Sequence, residues 1–404
     1  MFGKYDIRGK YPSEVNEENF SKAGTAIKKM MKEFKIKDFV VASDYRKSGK
    51  SLIDSLCSAP NSIFVGPMPT PCIQYRADFV GIITASHNPP EYNGLKLFLN
   101  NGTLPEKYYK KIKNLYQVSK PVKTKKVVLN KKLRKEILEN YISDLPNAGN
   151  AVFDLGGGAA CAVKNLFPKR LFDMPDPTFK KRYPEPKIGT LSVLEKTVKN
   201  RIGIAFDGDA DRCVVIDKKM IDADVLGGYI VSKNMIDSKN IIMTVDCSSK
   251  VFSNLIEQGF NCKYCAVGIK DVEKTMRRFK DSFGFENSGH YYASNRKYVG
   301  DGIYFGLLLS NSKPNSILSY QNSLSIERTQ LTVKKVNYQT VRDFLEKLGA
   351  VEFIELDGVK GITDDWSVLI RNSNTQPLAR VSVEAKNKIK LKELEKEIQT
   401  ALSA

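Results

Sequence analysis

The stretch "IAFDGDADRCVVID", residues Ile204 to Asp217, decides how this chain is read. The apolar runs at its two ends have the composition of short strands, and between them Asp207, Asp209 and Asp211 stand two apart. Three acids at that spacing do not belong in a core, because buried unpaired charge is very costly. On an extended loop alternate side chains share one face, so the carboxylates converge, and a hard divalent cation is the natural resolution. An EF-hand is excluded, since the position that needs a bidentate glutamate holds Lys218. A solvated acidic turn fits the flanking strands poorly. The stretch reads as a metal-binding loop with room for one more ligand, such as a phosphate oxygen.

Outward from this loop, strand and helix signals alternate. Phe39 to Ser43 reads as a strand, Lys50 to Ser58 as a helix and Ser62 to Val65 as a strand. A basic run, Lys120 to Glu136, reads as a solvated linker and the start of a helix. A second α/β unit opens at Asn150 with "NAVFDLGGGAACAVKNLF", read as a strand, a glycine turn and a helix. A third opens near Met220, with strand Asn240 to Val245, helix Lys250 to Gln258 and strand Phe260 to Ala266. The final segment changes to a small α+β pattern, with a helix from Val341 to Leu348, strands "WSVLIR" and "ARVSVEA", and a charged last helix. Alternating βα units imply α/β layers for the first three units.

Three further stretches carry chemistry. In "ITASHNPPEYNG", Ile83 to Gly94, apolar residues lead into a loop that Pro89 and Pro90 prevent from continuing as strand or helix. Ser86 therefore sits on a turn at a strand tip, beside His87 and Asn88, a place that suits a nucleophile and a capping serine alike. In "FGFENSGHYY", Phe283 to Tyr292, Glu286, Ser288 and His290 bracket a glycine turn. Such a loop can hydrogen-bond vicinal sugar hydroxyls, and an ordinary turn has the same composition. In "LIRNSNTQPLARVSVEA", Arg371 and Arg380 flank Ser373, Asn374 and Thr375. Guanidinium groups with hydroxyls and turn N–H groups make a phosphate cradle, although the stretch alone also reads as a surface turn. Two decoys fall away. Gly49-Lys50-Ser51 lacks the earlier glycine of a P-loop, where Asp44 stands, and "DLGGGAAC" lacks the third glycine of a dinucleotide site. A serine, a cation, a hydroxyl-binding loop and a phosphate cradle together suggest phosphoryl transfer to and from a phosphorylated sugar, with the enzyme's own phosphoserine as donor.

Composition sets limits. A length of 404 residues implies several domains, and no run is long and apolar enough for a membrane span. The opening residues lack the apolar core of a signal peptide, so a cytoplasmic protein is expected, and seven dispersed cysteines fit that compartment. The pair Cys262 and Cys265 has no second pair for zinc. The net charge of +19 raises a nucleic-acid partner, but no nucleic-acid-binding signature accompanies it, and anionic small substrates account for it equally.

With these motifs in place, the chain resembles the α-D-phosphohexomutase superfamily, specifically its phosphomannomutase/phosphoglucomutase group. Thr84 to Pro89 resembles the phosphoserine loop, Asp207 to Arg212 the metal loop, Glu286 to His290 the sugar-specificity loop and Arg371 to Pro377 the phosphate loop. The opening Tyr5 to Gly9 and the run Ser373 to Thr375 resemble the mannose/glucose enzymes more than the glucosamine mutases. The resemblance implies an α/β fold of four domains around a central cleft, expected at residues 1–122, 123–219, 220–315 and 316–404, the last α+β. It implies one Mg²⁺ held by Ser86, Asp207, Asp209 and Asp211, and a hexose 1,6-bisphosphate intermediate. Ser86, Lys96, Arg8 and His290 become the catalytic candidates. Lys96 or His290 would serve as base and Arg8 as an electrostatic partner, since arginine rarely loses a proton. Arg212, Glu286, Ser288, His290, Arg371, Ser373, Asn374, Thr375 and Arg380 become the substrate-binding candidates, with His87 and Asn88 in support. The expected activity interconverts mannose or glucose 1- and 6-phosphates, with phosphoglucosamine mutase as the alternative. The expected partners are phosphorylated hexoses, with neither nucleic acid nor membrane, for a monomer or homodimer. The chain departs from the family in a short stretch between Arg46 and Pro69 and in Gln376, where glutamate is usual.

Overall fold

The computed structural model describes residues 1–59, 61–75, 79–100, 102–373 and 377–402. They form two compact units, one of Met1–Met220 with His290–Pro314, the other of Ile221–Gly289 with Asn315–Ala404.

The first unit holds two sheets. In the first, the order is Ile7–Lys10, Tyr92–Leu99, Phe79–Ile83, Phe39–Ser43 and Ser62–Pro67, with Gly102–Thr103 pairing Tyr92–Leu99. Phe39–Ser43 and Phe79–Ile83 are buried throughout and pair in parallel, as expected of central strands covered on both faces. The helix Glu17–Glu33 starts on Asn16, whose side chain accepts from the Asn19 amide, and buries Phe20, Ala23, Ile27 and Met30 on one stripe. It approaches the helix Gly49–Leu56 so closely that a Cβ at Gly24 would lie 2.1 Å from the Leu56 carbonyl oxygen.

The second sheet runs Lys219–Met220, Cys213–Asp217, Ile202–Phe206, Ala151–Asp154 and Arg170–Leu171. Ile202–Phe206 and Cys213–Asp217 pair antiparallel with Phe206 opposite Cys213, so residues 207–212 form the loop at one end of the sheet. The helix read after the glycine turn is instead a 3-10 segment, Ala159–Leu166, kinked at Val163 with φ −123°. Gly156 and Gly157 there have φ of +62° and +63°, so the chain enters the segment from a left-handed turn rather than from a helix cap. The apolar helix Gly302–Leu309 packs on this sheet, with Gly306 against Ile204 and Phe206.

In the second unit, Asn261–Cys265, Asn240–Thr244 and Ser282–Phe285 pair in parallel, with Asn240–Thr244 in the middle. The C-terminal sheet is antiparallel throughout, in the order Glu327–Lys334, Leu378–Ala385, Trp366–Asn372, Val359–Ile362 and Glu352–Ile354. Its apolar face packs with residues of helices Tyr338–Lys347 and Lys388–Leu402 through Val341, Leu345, Val368, Ile370, Val381, Leu394 and Ile398. Alternate residues of Leu378–Ala385 point into that core.

Among the described residues no helix is long and apolar enough to cross a membrane, and all seven cysteines are free thiols. The helix contact yields a prediction. Gly24→Ala lowers stability by about 1–3 kcal/mol, because the backbone of Leu56 cannot yield cheaply. Gly49→Ala, whose Cβ would meet nothing within 4 Å, leaves the unfolding midpoint nearly unchanged. Equal thermal melts for the two variants would contradict this packing.

Candidate active site

The serine loop follows the strand Phe79–Ile83 directly. The Thr84 hydroxyl donates to Asp44 Oδ2 at 2.7 Å and accepts from the Ser86 amide at 2.8 Å. Ser86 itself is buried with φ of +52°, a left-handed conformation that a serine holds only when its surroundings impose it. Arg46 supplies that constraint. Its guanidinium donates to the carbonyls of Ser86 (2.8 Å), Asn88 (2.7 Å), Pro89 (2.6 Å) and Tyr92 (3.0 Å), and its Nε to Asp44 Oδ2 at 3.1 Å. The pair is completely buried, so the Asp44 carboxylate balances the arginine that the loop carbonyls surround.

The acidic loop meets this serine. Ser86 Oγ donates to Asp207 Oδ2 at 2.7 Å. Gly208 makes the approach possible, since a Cβ there would lie 2.4 Å from the Ser86 carbonyl oxygen. Asp207, Asp209 and Asp211 are all buried, with one carboxylate oxygen from each lying within 4.8 Å of the others. Lys96, from the strand Tyr92–Leu99, donates to Asp209 at 2.7 Å and to Asp211 at 2.6 Å. Thr70 adds its hydroxyl to Asp209 at 2.8 Å.

The electrostatics are uneven. Burial, then the neighbouring Asp209 and Asp211, push the Asp207 carboxyl well above its ordinary range. Burial acts the same way on Asp211, but Lys96 and His290 outweigh it and hold that carboxyl well below the usual range. Burial works against the charge on Lys96, yet Asp209 and Asp211 raise it, so Lys96 stands here as an ammonium. Lys96 and Arg212, whose Nε lies 3.9 Å from Asp207 Oδ2, are two positive side chains against three acids, which leaves the cluster short of positive charge. Asp209 Oδ1 is buried with no hydrogen-bond partner. An all-oxygen donor set with an unpartnered buried acceptor fits a hard divalent cation such as Mg²⁺.

The other candidates of this unit lie close by. His87 Nδ1 is 3.3 Å from Ser86 Oγ. Burial, together with the charges of Arg212 and Arg8, pushes His87 down to about 2, so its ring is neutral at physiological pH. Arg8 donates to Asn88 Oδ1 at 2.7 Å and pairs with Asp6 at 2.6 Å. Arg212 donates from Nε to His290 Nε2 at 3.1 Å, and His290 Nε2 lies 3.4 Å from Asp211 Oδ1. Ser86, His87, Asn88, Lys96, Arg8, the three aspartates, Arg212 and His290 thus form one connected cluster.

The second unit holds the remaining candidates. Glu286 is buried at the end of strand Ser282–Phe285, and Ser288 is exposed on the turn after it. Arg371 and Arg380 are cross-strand neighbours that line one cavity, while Ser373 is half-buried just beyond. Asn374 and Thr375, and with them Gln376, lie outside the described residues. Sequence reading missed Asp44, Arg46, Thr70 and Thr84 as supports of the serine loop, and Asp357, which pairs with Arg371 at 3.0 Å. A signal for the first pair was present, since Asp44 and Arg46 follow an apolar strand within the very stretch dismissed as a P-loop decoy.

The domain families of phosphoglucomutase/phosphomannomutase match the chain in order. The α/β/α domain I covers residues 1–122, domain II 158–220, domain III 224–320 and the C-terminal domain 330–401. A phosphoglucosamine mutase of Methanococcus aeolicus is 32% identical over 451 aligned residues, covering 98% of this chain and 96% of that protein. The Helicobacter pylori phosphoglucosamine mutase is 29% identical over 435 residues, covering 96% and 95%. Among solved structures, a phosphoglucomutase/phosphomannomutase family protein of Burkholderia thailandensis superposes with a TM-score of 0.82 at 24% identity, covering 98% and 96%. An N-acetylphosphoglucosamine mutase of Aspergillus fumigatus, in complex with GlcNAc-6P and magnesium, superposes at 0.59 with 13% identity over 99% and 95%.

The serine loop carries its own test. Arg46→Lys keeps the charge but cannot serve all four carbonyls, so a chain that still folds exchanges its amides between Thr84 and Tyr92 at least about tenfold faster. Unchanged exchange, read by mass spectrometry, would show that Arg46 does not hold the loop.

Proposed function

Because the chain belongs to the phosphoglucomutase/phosphomannomutase family, whose domains match it in order between residues 1 and 401, we propose that it interconverts the 1- and 6-phosphates of glucosamine. It is an isomerase, an intramolecular phosphotransferase. The single observation that carries the sugar assignment is that phosphoglucosamine mutases from both archaea and bacteria match it across more than nine-tenths of both chains. The short cues that favoured mannose and glucose, Tyr5 to Gly9 and Ser373 to Thr375, weigh less than likeness over the whole length. They leave the neutral hexose phosphates as the second reading.

In the proposed cycle Ser86 Oγ carries a phosphoryl group. It passes to the free hydroxyl of the sugar monophosphate, and the hydroxyl proton leaves to a base. The resulting bisphosphate presents its other phosphoryl to Ser86, which takes it back. A Mg²⁺ held by Asp207, Asp209, Asp211 and Ser86 would neutralise charge on the transferring group. Lys96, held charged against Asp209 and Asp211, suits charge stabilisation, which leaves His290 the better base of the two candidates. Arg8 steadies the serine loop through Asn88. His87, neutral, meets Ser86 Oγ without competing for a metal site's charge. Glu286 and Ser288 would take sugar hydroxyls, and Arg371, Arg380, Ser373 and the stretch with Asn374 and Thr375 the non-reacting phosphate, with Arg212 beside the transferring one. Domain limits of 1–122, 123–219, 220–315 and 316–404 and a cytoplasmic location complete the reading. The free thiols support that location.

Purified protein with Mg²⁺ and trace hexose 1,6-bisphosphate is expected to convert glucosamine 1-phosphate with a kcat/KM at least about tenfold above glucose or mannose 1-phosphate. Ser86→Ala or EDTA lowers the rate on the order of 10³-fold or more. Preference for a neutral hexose phosphate would return the mannose/glucose reading, and inactivity on all three would contradict the proposed reaction.

A further inference from the structure

A cavity of about 370 Å³ in the second unit is lined by Arg371, Arg380 and Asp246. The arginines suit a phosphate dianion, and Arg371 Nε is buried without a hydrogen-bond partner. Asp246 does not suit it. Among the described residues lining the cavity it is the one acid, and a carboxylate facing that space repels a dianion.

Nothing in the geometry treats Asp246 as incidental. Lys360, buried, donates to the carbonyls on either side of it, Val245 at 3.0 Å and Cys247 at 2.7 Å. Lys360 belongs to the strand Val359–Ile362, which pairs with the strand that carries Arg371. One sheet therefore fixes both the arginines and the turn that bears the acid, so the opposed charges are preorganised. Burial raises the Asp246 carboxyl above its ordinary range, and the nearby Glu286 adds to this, against the Thr244 hydroxyl and Arg371. Asp246 also lines the adjoining cavity of about 270 Å³, together with Asn287 of the sugar loop. It stands between the groups suited to a phosphate and the loop suited to sugar hydroxyls. A ligand that satisfies all three is an anion at one end with a cation a few atoms away, which is the chemistry of an amino-sugar phosphate.

We propose that Asp246 binds the C2 ammonium of glucosamine phosphate and so sets the preference of this site for an amino sugar over a neutral hexose. The inference rests on the function proposed above. In a neutral-hexose enzyme the same carboxylate would at most accept a hydroxyl hydrogen bond while repelling the phosphate, and would bring no preference for an amine.

Titration calorimetry at neutral pH tests it, with glucosamine 6-phosphate and glucose 6-phosphate on wild type, Asp246→Asn and Asp246→Ser. Wild type should favour the amino sugar. Both neutral variants should lose that preference by about 10- to 100-fold, because a charge-assisted hydrogen bond is removed. Glucose 6-phosphate should bind them as well as wild type or more tightly, since a repelling charge has gone. Equal weakening toward both ligands, which a merely structural role produces, would overturn the assignment, as would an unchanged preference. A wild type that converts glucosamine phosphate while the variants keep its preference sinks Asp246 alone. A wild type that neither binds nor converts glucosamine phosphate sinks the proposed function, and the inference with it.

Discussion

Three carboxylates buried within a few ångströms of one another cannot persist without positive charge, and the first unit is organised around that demand. The antiparallel pairing of Ile202–Phe206 with Cys213–Asp217 fixes the loop that bears them. Lys96 arrives from another sheet to offset part of the charge, and the unpartnered Asp209 Oδ1 shows that the offset is incomplete. The serine is delivered to the same place by a second, independent device. Arg46, backed by Asp44, donates to four loop carbonyls from inside the protein and holds Ser86 in a left-handed conformation with its hydroxyl donating to Asp207. The serine and the three carboxylates are thereby held in place together, an arrangement that the proposed phosphoryl transfer would use without moving parts at the reacting atoms.

The second unit uses the same principle with opposite signs. There the sheet presents Arg371 and Arg380 to a cavity whose one acid among the described lining residues, Asp246, sits on a turn that a buried lysine bonds through the backbone on either side. Charges of both signs fixed on one scaffold discriminate between ligands of equal size by charge pattern, which area alone does not do.

Much of this was legible in the sequence because the chemistry is compact there. Asp207, Asp209 and Asp211 occupy alternate positions of one loop, and Ser86 stands where prolines end a strand, so local rules were enough. The alternation of strands and helices gave the α/β layers for the same reason. What escaped was long-range. The reach of Arg46 to Ser86 spans 40 positions and that of Lys360 to Val245 spans 115, and no local pattern announces either contact. The helix expected after the glycine turn at Gly156 failed because left-handed glycines set the entry angle, a tertiary constraint that propensity does not see. The cues near Tyr5 and Ser373 pointed to mannose and glucose, whereas the relatives matched over the whole length are phosphoglucosamine mutases, a likeness that no short motif carries.

The central claim is that Ser86 is the phosphoryl carrier beside a cation-binding triad. Phosphopeptide mapping after incubation with a hexose 1,6-bisphosphate and Mg²⁺ tests it directly. The account predicts phosphate on Ser86 alone. Phosphate on another residue, or an unlabelled protein that nonetheless turns over substrate, would contradict it.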